Sequence, residues 1–434
     1  MQKLDARRVW IGAGSAAVLA ASLAGAGVAG GDDRDDRGRG DRHAKNVIFM
    51  VGDGLSIAAR DATRLATVGK DGQLAMDTLR YAGWTYTDSA DPDEAVTDSA
   101  AAATALATGV RTYNGAVSVD VDANPVTSLL EYAKDLRKST GLVTTAQVTD
   151  ATPAAFGSHV PDRADQSEIA RQFIEVTRPD VILGGGEDWW YPAGDEGAYP
   201  DDPADPRPEE SRSTFGNLVA LAEETGYDYV STPEELEATD ADRILGLFAN
   251  EEMFQMRPEG EGDEYAPVVP LADMAATALD VLSQDEDGFF LLIEEEGVDE
   301  MAHDDNGIRM LQALRSLEAA VQVARDYVEE HPDTLLVVTG DHETGGLTIE
   351  DVDPADESGP GGTLLPEEGA TISGEDGPFP VAGSDGKDFA LDWTTTAHTG
   401  APTVVTARGP GSEDLVGYYP NTHLHEVLRE VLLG

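Results

Sequence analysis

The sequence predicts an α/β fold with a mostly parallel central sheet, helices on both faces of that sheet, and insertions at the surface. Continuous apolar runs of strand length recur along the chain, which is typical of strands buried on both faces. Helical periodicity lies between several of those runs, and this alternation indicates a parallel sheet. With 434 residues, 41% of them hydrophobic, the chain can bury a large core.

The first apolar run, residues 46–51, ends in Gly-Asp-Gly, which predicts a buried strand followed by its turn. Six later runs have the same character and are predicted as strands: residues 141–148, 180–183, 243–248, 289–293, 334–338 and 403–406. Helices are predicted where apolar residues recur every three or four positions: residues 126–137, 271–283 and 308–329. These elements predict one catalytic domain over residues 46–434, with an insertion at about 350–388 that is rich in Gly, Asp and Pro.

The N-terminus has the pattern of an export signal. Arg7 and Arg8 precede a mildly apolar run, so residues 1–30 are predicted to be a twin-arginine signal segment. An uncleaved membrane anchor is the alternative, and only in that case would a membrane be a partner. Residues 31–45 alternate Asp, Arg and Gly and are predicted to be a flexible charged linker. We therefore expect an exported protein, outside the cell or at its surface.

The chain is strongly acidic, with 29 basic residues, 83 acidic residues and a net charge of −54. This balance argues against nucleic acid as a partner, because phosphate backbones attract Lys and Arg. Acidic disorder is one interpretation, but the apolar fraction is that of a folded protein. Adaptation to very salty water is the other, and it is the one we favour. Since there is no Cys, any zinc ion must be held by His and carboxylate groups.

Acidic and histidine side chains follow several predicted strands. Asp53 follows the first strand, Glu294 stands at the end of another, and Asp341 and His342 follow a third. Ligands of open parallel sheets bind at the carboxyl edge of the strands, so we expect these groups to meet there. Asp299 and His303 are four residues apart, and on one helix face they suit a zinc ion. Taken singly, the same residues are also typical of turns and solvated acidic runs.

Three further groups complete the pattern. Ser99 opens an Ala-rich segment and is placed at or beside a helix N-terminus, where an anion is favoured; a simple helix cap is the other interpretation. Arg163 offers a planar guanidinium that can hold two phosphate oxygens at once, unless it is one more surface Arg. Polar candidates are also found at Asp150, Thr152 and His398. Judged singly, none of them indicates a metal site.

Together these motifs resemble the alkaline phosphatase family, in order and over residues 46–430. The resemblance implies two Zn²⁺ and one Mg²⁺ per subunit, small-molecule phosphate monoesters as substrates, and a homodimer. It implies that Ser99 is the nucleophile that becomes phosphorylated and that Arg163 holds the phosphate. It also implies the following ligand sets: Asp299, His303 and His398 for one zinc; Asp53, Asp341 and His342 for the second; and Asp53, Thr152 and Glu294 for magnesium, with Asp150 nearby.

The resemblance has two departures. Glu300 stands where some relatives carry a basic or aromatic residue, and an acid there is expected to weaken phosphate binding. The segment Glu294-Glu295-Glu296-Gly297 replaces the Gly-rich stretch usual after the magnesium glutamate, so Glu294 is assigned as the magnesium ligand by its spacing to Asp299, and Glu295 is the fallback. The function predicted is a secreted metal-dependent phosphomonoesterase that acts through a phosphoserine at Ser99. The alternatives are a phosphodiesterase on the same fold and a non-catalytic secreted protein that binds metal or phosphate.

Overall fold

The computed structural model describes residues 43–200, 210–254, 265–352 and 376–434. The predicted signal segment at 1–30, nearly all of the linker at 31–45, and residues 353–375 of the predicted insertion lie outside the described residues. All described residues belong to one unit, which spans Asp41–Gly434. Among the described residues, no helix is long and apolar enough to cross a membrane.

Eleven α-helices are described, and most of them alternate with strands along the chain. They are α1 Ile57–Thr67, α2 Ser99–Thr108, α3 Leu129–Asp135, α4 Ala151–Gly157, α5 Gln166–Gln172, α6 Leu218–Glu224, α7 Pro233–Ala238, α8 Leu271–Leu282, α9 Gly297–His303, α10 Gly307–Glu330 and α11 Thr422–Leu433.

Fifteen strands are described. They are β1 Asn46–Gly52, β2 Tyr81–Tyr86, β3 Ser139–Gln147, β4 Val181–Gly185, β5 Asp228–Val230, β6 Ile244–Leu247, β7 Phe289–Glu295, β8 Thr334–Gly340, β9 Glu343–Thr344, β10 Thr348–Asp351, β11 Phe379–Pro380, β12 Asp388–Asp392, β13 His398–Thr399, β14 Thr403–Arg408 and β15 Gly417–Pro420.

Ten of these strands form the central sheet, in the order β15-β2-β14-β8-β1-β7-β3-β4-β6-β5. Only β14 runs antiparallel to its neighbours β8 and β2; every other pair in this sheet is parallel. The predicted mostly parallel sheet is therefore confirmed. Because β1 lies between β7 and β8, their carboxyl ends stand side by side, with Val51 opposite Glu294 and Gly52 opposite Gly340.

Two hydrophobic cores lie on the two faces of this sheet, because successive side chains of a strand point to opposite sides. In β1, Ile48 and Met50 belong to one core, which also contains residues of α1, α8 and α10. Val47, Phe49 and Val51 belong to the other, with residues of α2, α3, α4 and α11. Helices on both faces, as predicted, bury the apolar strands completely.

All seven predicted strands are present, with ends that differ by a few residues from the predicted ones. The helix predicted over 126–137 begins at Leu129 instead. Its start is set by Ser128, whose hydroxyl accepts a hydrogen bond from the Glu131 N–H while the Glu131 carboxylate accepts one from the Ser128 N–H.

Two small sheets stand outside the central one. Strands β10, β12 and β11 form a three-stranded sheet, which contains the described ends of the predicted insertion. Strands β13 and β9 pair antiparallel, and this pairing sets His398 opposite Thr344. A histidine distant in sequence is thereby brought to the segment that follows β8.

Candidate metal and phosphate site

Two carboxylates and a histidine meet where β1 and β8 end. Asp53, Asp341 and His342 each offer one ligand atom, and these atoms lie within 4.8 Å of one another. Nε2 of His342 is 3.3 Å from Oδ1 of Asp53 and 3.2 Å from Oδ2 of Asp341. All three side chains are buried. The edge of the sheet thus gathers these residues as the sequence predicts.

Two buried carboxylate oxygens of this group lack a hydrogen-bond donor. Oδ1 of Asp53 and Oδ2 of Asp341 have no hydrogen-bond partner. The Thr344 hydroxyl donates to Oδ1 of Asp299 and lies 3.3 Å from Nδ1 of His342, so it accepts from that nitrogen and leaves Nε2 of the ring unprotonated. Lone pairs that face one another in a dry site need a cation between them, and His with carboxylates is a donor set that zinc accepts.

A second group forms around α9. Asp299, His342 and His398 also have ligand atoms within 4.8 Å of one another. His303 joins them, because its Nε2 lies 3.2 Å from Oδ2 of Asp299 and 3.0 Å from Nε2 of His398. Asp299 and His303 share one helix face, as their spacing predicts.

The tautomers of both outer histidines are fixed by the backbone. His303 donates from Nδ1 to the carbonyl of Thr396 at 2.7 Å, and His398 donates from Nδ1 to the carbonyl of Thr97 at 3.0 Å. When these rings are neutral, their Nε2 lone pairs therefore point at each other and at Asp299. Backbone carbonyls that hold the far nitrogen of a ring are common behind metal-binding histidines, and this group also fits a zinc ion.

The glutamates at the end of β7 point in opposite directions. Glu294 accepts from the Thr144 hydroxyl at 2.6 Å, and its charge acts on Asp53. Glu295 is enclosed by neutral donors, with the Thr145 hydroxyl at 2.8 Å and the Tyr265 hydroxyl at 2.6 Å. Of the two, Glu294 is the one on the side of the metal group.

The remaining candidates for the third ion lie beside Glu294. Burial raises the pKa of the Glu294 carboxyl overall, the hydroxyl of Thr152, in α4, lowers that pKa, and the charge of Asp150 adds to the rise. Carboxylate and hydroxyl oxygens without nitrogen are the donors that magnesium prefers. Unlike the ligand atoms of the two histidine-containing groups, the carboxylates of Asp53, Asp150 and Glu294 do not all lie within 4.8 Å of one another in the described part of the chain.

Ser99 is the first residue of α2, and Asp98 is the N-cap whose Oδ1 accepts from the Ala101 N–H at 2.9 Å. The Ser99 side chain is buried, and its Oγ lies 3.1 Å from Nε2 of His342. Since that nitrogen is unprotonated, the Ser99 hydroxyl donates to it. The hydroxyl is thereby placed between a helix N-terminus, which favours anions, and the Asp53–Asp341–His342 group.

Arg163 is held by two carboxylates. One of its terminal nitrogens donates to both oxygens of Asp150, at 2.9 and 2.8 Å, and the other lies 3.6 Å from Oδ2 of Asp98. Burial lowers the pKa of Arg163, but Asp150 outweighs it and raises that pKa above its usual value. Asp98 precedes Ser99 directly, so this contact fixes the guanidinium relative to the serine.

The carboxylates of the site are strongly perturbed. Burial raises the pKa of Asp341 to about 7 and that of Glu294 to about 8, and it raises the pKa of Asp53 well above its usual range. The hydrogen bond to Asp299 raises the pKa of His303 to about 9. Burial alone would raise the pKa of Asp299, yet hydrogen bonds from His303 and His398 hold it well below its usual value. Without a cation, this group holds protons in its place.

Several supporting residues were not predicted from the sequence. The sequence indicates no role for Thr344, and it places Thr144 and Thr145 only within the strand predicted over 141–148. The contact between Asp98 and Arg163 likewise has no signal in the sequence. Thr144 stands opposite Glu294 in the register of β3 and β7, so its side chain faces the same side of the sheet, and this relationship appears only once the strands are paired.

Comparisons with known proteins agree on one family. The family model for alkaline phosphatase matches residues 44–363. The streptomycin-6-phosphate phosphatase of Streptomyces griseus is 34% identical, over 88% of this chain and 89% of the relative. Alkaline phosphatase 4 of Bacillus subtilis is 30% identical over 89% and 88%. The structure of alkaline phosphatase from the Antarctic bacterium TAB5 aligns with a TM-score of 0.71 at 25% identity, covering 90% of this chain and 99% of that one.

Proposed function

The chain belongs to the alkaline phosphatase family, and on that premise we propose that its metal-dependent hydrolysis of phosphate monoesters passes through a phosphoserine at Ser99. The observation that carries the proposal is the 3.1 Å contact between Oγ of Ser99 and Nε2 of His342. It places the hydroxyl at the N-terminus of α2 beside the Asp53–Asp341–His342 group. Arg163 is held nearby through Asp98. A hydroxyl becomes a good nucleophile only where its proton can leave, and this place favours that loss.

We assign the metal ligands as two zinc sets and one magnesium set. Asp299, His303 and His398 would hold one zinc, while Asp53, Asp341 and His342 would hold the second. The unpartnered oxygens of Asp53 and Asp341 support the second set. When bound, zinc acts as a Lewis acid that lowers the pKa of an adjacent hydroxyl and stabilises charge on a departing oxygen.

The magnesium set comprises Asp53, Thr152 and Glu294, with Asp150 behind it. A TAB5 alkaline phosphatase variant is known with Mg bound in its M3 site. The stoichiometry of two Zn²⁺ and one Mg²⁺ per subunit is part of the proposal, and elemental analysis of the purified protein tests it. Zinc in clear excess of two per chain, or no magnesium at all, would contradict it.

In the first step of the proposed reaction, Oγ of Ser99 forms a bond to phosphorus as the bond between phosphorus and the ester oxygen breaks. The alcohol leaves with a proton. In the second step, water attacks the phosphoserine, releases inorganic phosphate and restores the hydroxyl. Arg163 and the N–H groups at the start of α2 stabilise the negative oxygens that do not react.

Arg163 also favours monoesters over diesters. A guanidinium held on its far side by Asp150 and Asp98 presents its remaining N–H groups to a dianionic phosphoryl group. A diester carries one charge fewer and a second substituent, which must be accommodated beside the arginine. Phosphodiester hydrolysis is the second candidate, and the same motifs would serve it with lower efficiency.

Trapping the intermediate tests Ser99 directly. The protein is mixed with a phosphate monoester, quenched in acid and digested, and the modified peptide is identified by mass spectrometry. We expect phosphate on the peptide that contains Ser99, and its loss in Ser99→Ala. Ser283→Ala, an exposed serine after α8, is the matched control and should retain the label. Label on another residue would refute the assignment.

We propose that the protein is exported by the twin-arginine route and folds in concentrated salt. The twin arginine lies outside the described residues, and the net charge of −54 supports the salt requirement, because like charges repel less when they are screened. A melting curve in dilute buffer and in molar KCl tests the second point. A melting temperature that does not rise with KCl would contradict it.

We also propose one catalytic domain over residues 46–434 and a homodimer as the working form. The domain proposal is supported by the ten-stranded sheet, which includes both β1 and β15. Sedimentation of the mature protein tests the dimer, and a mass of one chain at all concentrations would contradict it.

A further inference from the structure

Arg163 lies in the loop that follows α4, residues 158–163, which we call the arginine loop. This loop is joined to residues 115–118, the bridging segment, by an isolated antiparallel bridge. At the bridge, Val117 and Val160 exchange two backbone hydrogen bonds, each 3.0 Å long. The position of the guanidinium therefore depends on how firmly the arginine loop and the bridging segment are held together.

The bridging segment is also bonded to α2, the helix that carries the proposed nucleophile. The Thr104 hydroxyl donates to the carbonyl of Ala116 at 3.0 Å and accepts from the Ser118 N–H at 2.8 Å. At the other end of the segment, the Gly115 N–H donates to Oδ2 of Asp98 at 2.9 Å. A residue that fixes the arginine loop to this segment therefore fixes the loop to the start of α2.

His159 makes that connection with its ring. Nδ1 lies 2.9 Å from the carbonyl oxygen of Ser118, and Nε2 lies 3.2 Å from Oε1 of Glu131 in α3. A carbonyl and a carboxylate are both acceptors, so each ring nitrogen must carry a proton and the ring is an imidazolium. Burial lowers the pKa of His159, but its hydrogen bonds to Glu131 and Ser118 outweigh burial and raise that pKa.

The partners of His159 are themselves held in place. The second oxygen of Glu131 accepts from the Ser128 N–H at 2.8 Å. The backbone of His159 exchanges hydrogen bonds of 2.9 and 3.1 Å with the side-chain amide of Gln172 in α5. Ser118 has a φ of 45°, a left-handed conformation that persists in a residue other than glycine only where its bonds hold it. The charge that acts on His159 is that of Glu131, while Ser118 and Gln172 present neutral groups.

We propose that His159, in its doubly protonated form, is a positioning residue for Arg163. The bond from Nδ1 to Ser118 fastens the arginine loop to the bridging segment, and the bond from Nε2 to Glu131 keeps the ring charged and oriented. Because the bridging segment is bonded to α2, the histidine fixes the guanidinium relative to Ser99. The inference rests on the proposed function, in which Arg163 holds the phosphate.

Inhibition by inorganic phosphate tests the role, in molar KCl with zinc and magnesium restored and metal content measured. His159→Leu removes both ring contacts and should raise the inhibition constant for phosphate about fivefold. His159→Asn should recover part of the loss, because its amide nitrogen can take the place of Nδ1 and donate to Ser118. His423→Leu is the control and should change nothing, since His423 also contacts a carboxylate, of Glu426, and a carbonyl, of Asp414, each at 3.1 Å, but lies on α11.

Removing the arginine separates positioning from a general structural role. In the Arg163→Ala background, His159→Leu should cause no further change in phosphate inhibition, because the residue that His159 positions is absent. An equal effect of His159→Leu in both backgrounds, or no effect in the wild type, would overturn the proposal. If Arg163→Ala alone leaves phosphate inhibition unchanged, the proposed function of the arginine fails, and the inference fails with it.

The pH dependence tests the charge on the ring. As the pH rises through the raised pKa of His159, Nε2 loses its proton and presents a lone pair to the Glu131 carboxylate. The tighter phosphate inhibition of the wild type relative to His159→Asn, which does not titrate, should therefore diminish between pH 6.5 and pH 9. A constant ratio would overturn the requirement for a protonated ring. If His159→Leu does not fold, Glu131→Gln decides, and it should move this loss to lower pH.

Discussion

Oγ of Ser99 lies 3.1 Å from Nε2 of His342, although the two residues are 243 positions apart in the chain. The contact joins the N-terminus of α2 to the segment after β8. Strands β13 and β14, near the C-terminal end of the chain, complete the surroundings of this contact. It depends on the tautomer of His342, whose other nitrogen is bound by the Thr344 hydroxyl. Substitution of a residue that holds His342 should therefore also affect the contact between His342 and Ser99.

Thr344→Val should weaken zinc binding. The change removes the hydroxyl that bonds both Asp299 and His342 but keeps the side-chain shape. Loss of a residue that orients metal ligands typically costs about 10- to 100-fold in metal affinity. Thr344→Ser should recover most of that loss, and Thr348→Val, at an exposed position of β10, is the control. Competition with a chelator measures zinc affinity, and wild-type affinity in Thr344→Val would contradict the role.

Arg163→Lys should lower kcat/KM for a monoester by roughly 30-fold, or about 2 kcal/mol, although the charge is kept. An ammonium cannot bond both oxygens of Asp150 and two phosphate oxygens with fixed geometry, and a hydrogen bond between charged groups is worth about 1.5–3 kcal/mol. Inhibition by phosphate should weaken in parallel. Arg429→Lys, which alters an exposed arginine over the Tyr132 ring, is the control. Unchanged kinetics in Arg163→Lys would remove the arginine from the site.

Stabilisation by metal should grow as the pH rises from 5 to 8. In the metal-free folded chain, burial raises the pKa of Asp341 to about 7 and that of Glu294 to about 8. Between their ordinary pKa values and these, the folded chain binds more protons than the unfolded one, so the metal-free protein loses stability as pH rises. Bound metal replaces those protons. Melting with and without zinc and magnesium measures the gap, and a constant gap would contradict this.

His425→Gln should remove part of the loss of stability in acid. His425 donates from Nδ1 to the carbonyl of Ala107 at 2.9 Å, at the end of α2, and burial lowers its pKa to about 4. Between pH 6.5 and 4 the unfolded chain therefore binds the extra proton, and stability falls as pH falls. At pH 5 this amounts to about 2 kcal/mol.

The glutamine can keep the hydrogen bond to Ala107 but does not titrate. Denaturant unfolding of both proteins at pH 7.5 and pH 5, in the same concentration of KCl, measures the effect. We expect the advantage of the wild type over the variant to shrink by about 2 kcal/mol on going to pH 5. An equal difference at both pH values would show that His425 does not titrate in this way.

The buried parallel strands could be predicted from the sequence because each is a continuous apolar run. The strands of the central sheet that the sequence does not predict are β2, β5 and β15, of which β5 and β15 stand at the edges of the sheet. Trp84 in β2 is 40% exposed and Tyr418 in β15 is 64% exposed, so neither strand shows a buried pattern. Strand β2 is held by β14, more than 300 residues away, and no local signal reports such a partner.

The candidate site was predictable wherever it depends on strand ends. Asp53, Glu294, Asp341 and His342 meet because parallel strands finish at one edge of the sheet. The sequence could not predict the hydrogen bonds that hold the site residues in place. The hydrogen bond from Arg163 to Asp150 spans a loop after α4. The hydrogen bonds that His303 and His398 donate to the carbonyls of Thr396 and Thr97 depend on loop backbone whose course has no periodic signal.

Side-by-side turnover of a chromogenic phosphate monoester and the matching diester, by the wild type and by Ser99→Ala, tests the central claim most directly. The mature protein is used in molar KCl with zinc and magnesium restored, and the metal content of both proteins is measured. We predict fast monoester cleavage, slow diester cleavage, and loss of both in Ser99→Ala with its metals retained. Preference for the diester, or monoester turnover that survives in Ser99→Ala, would contradict the account.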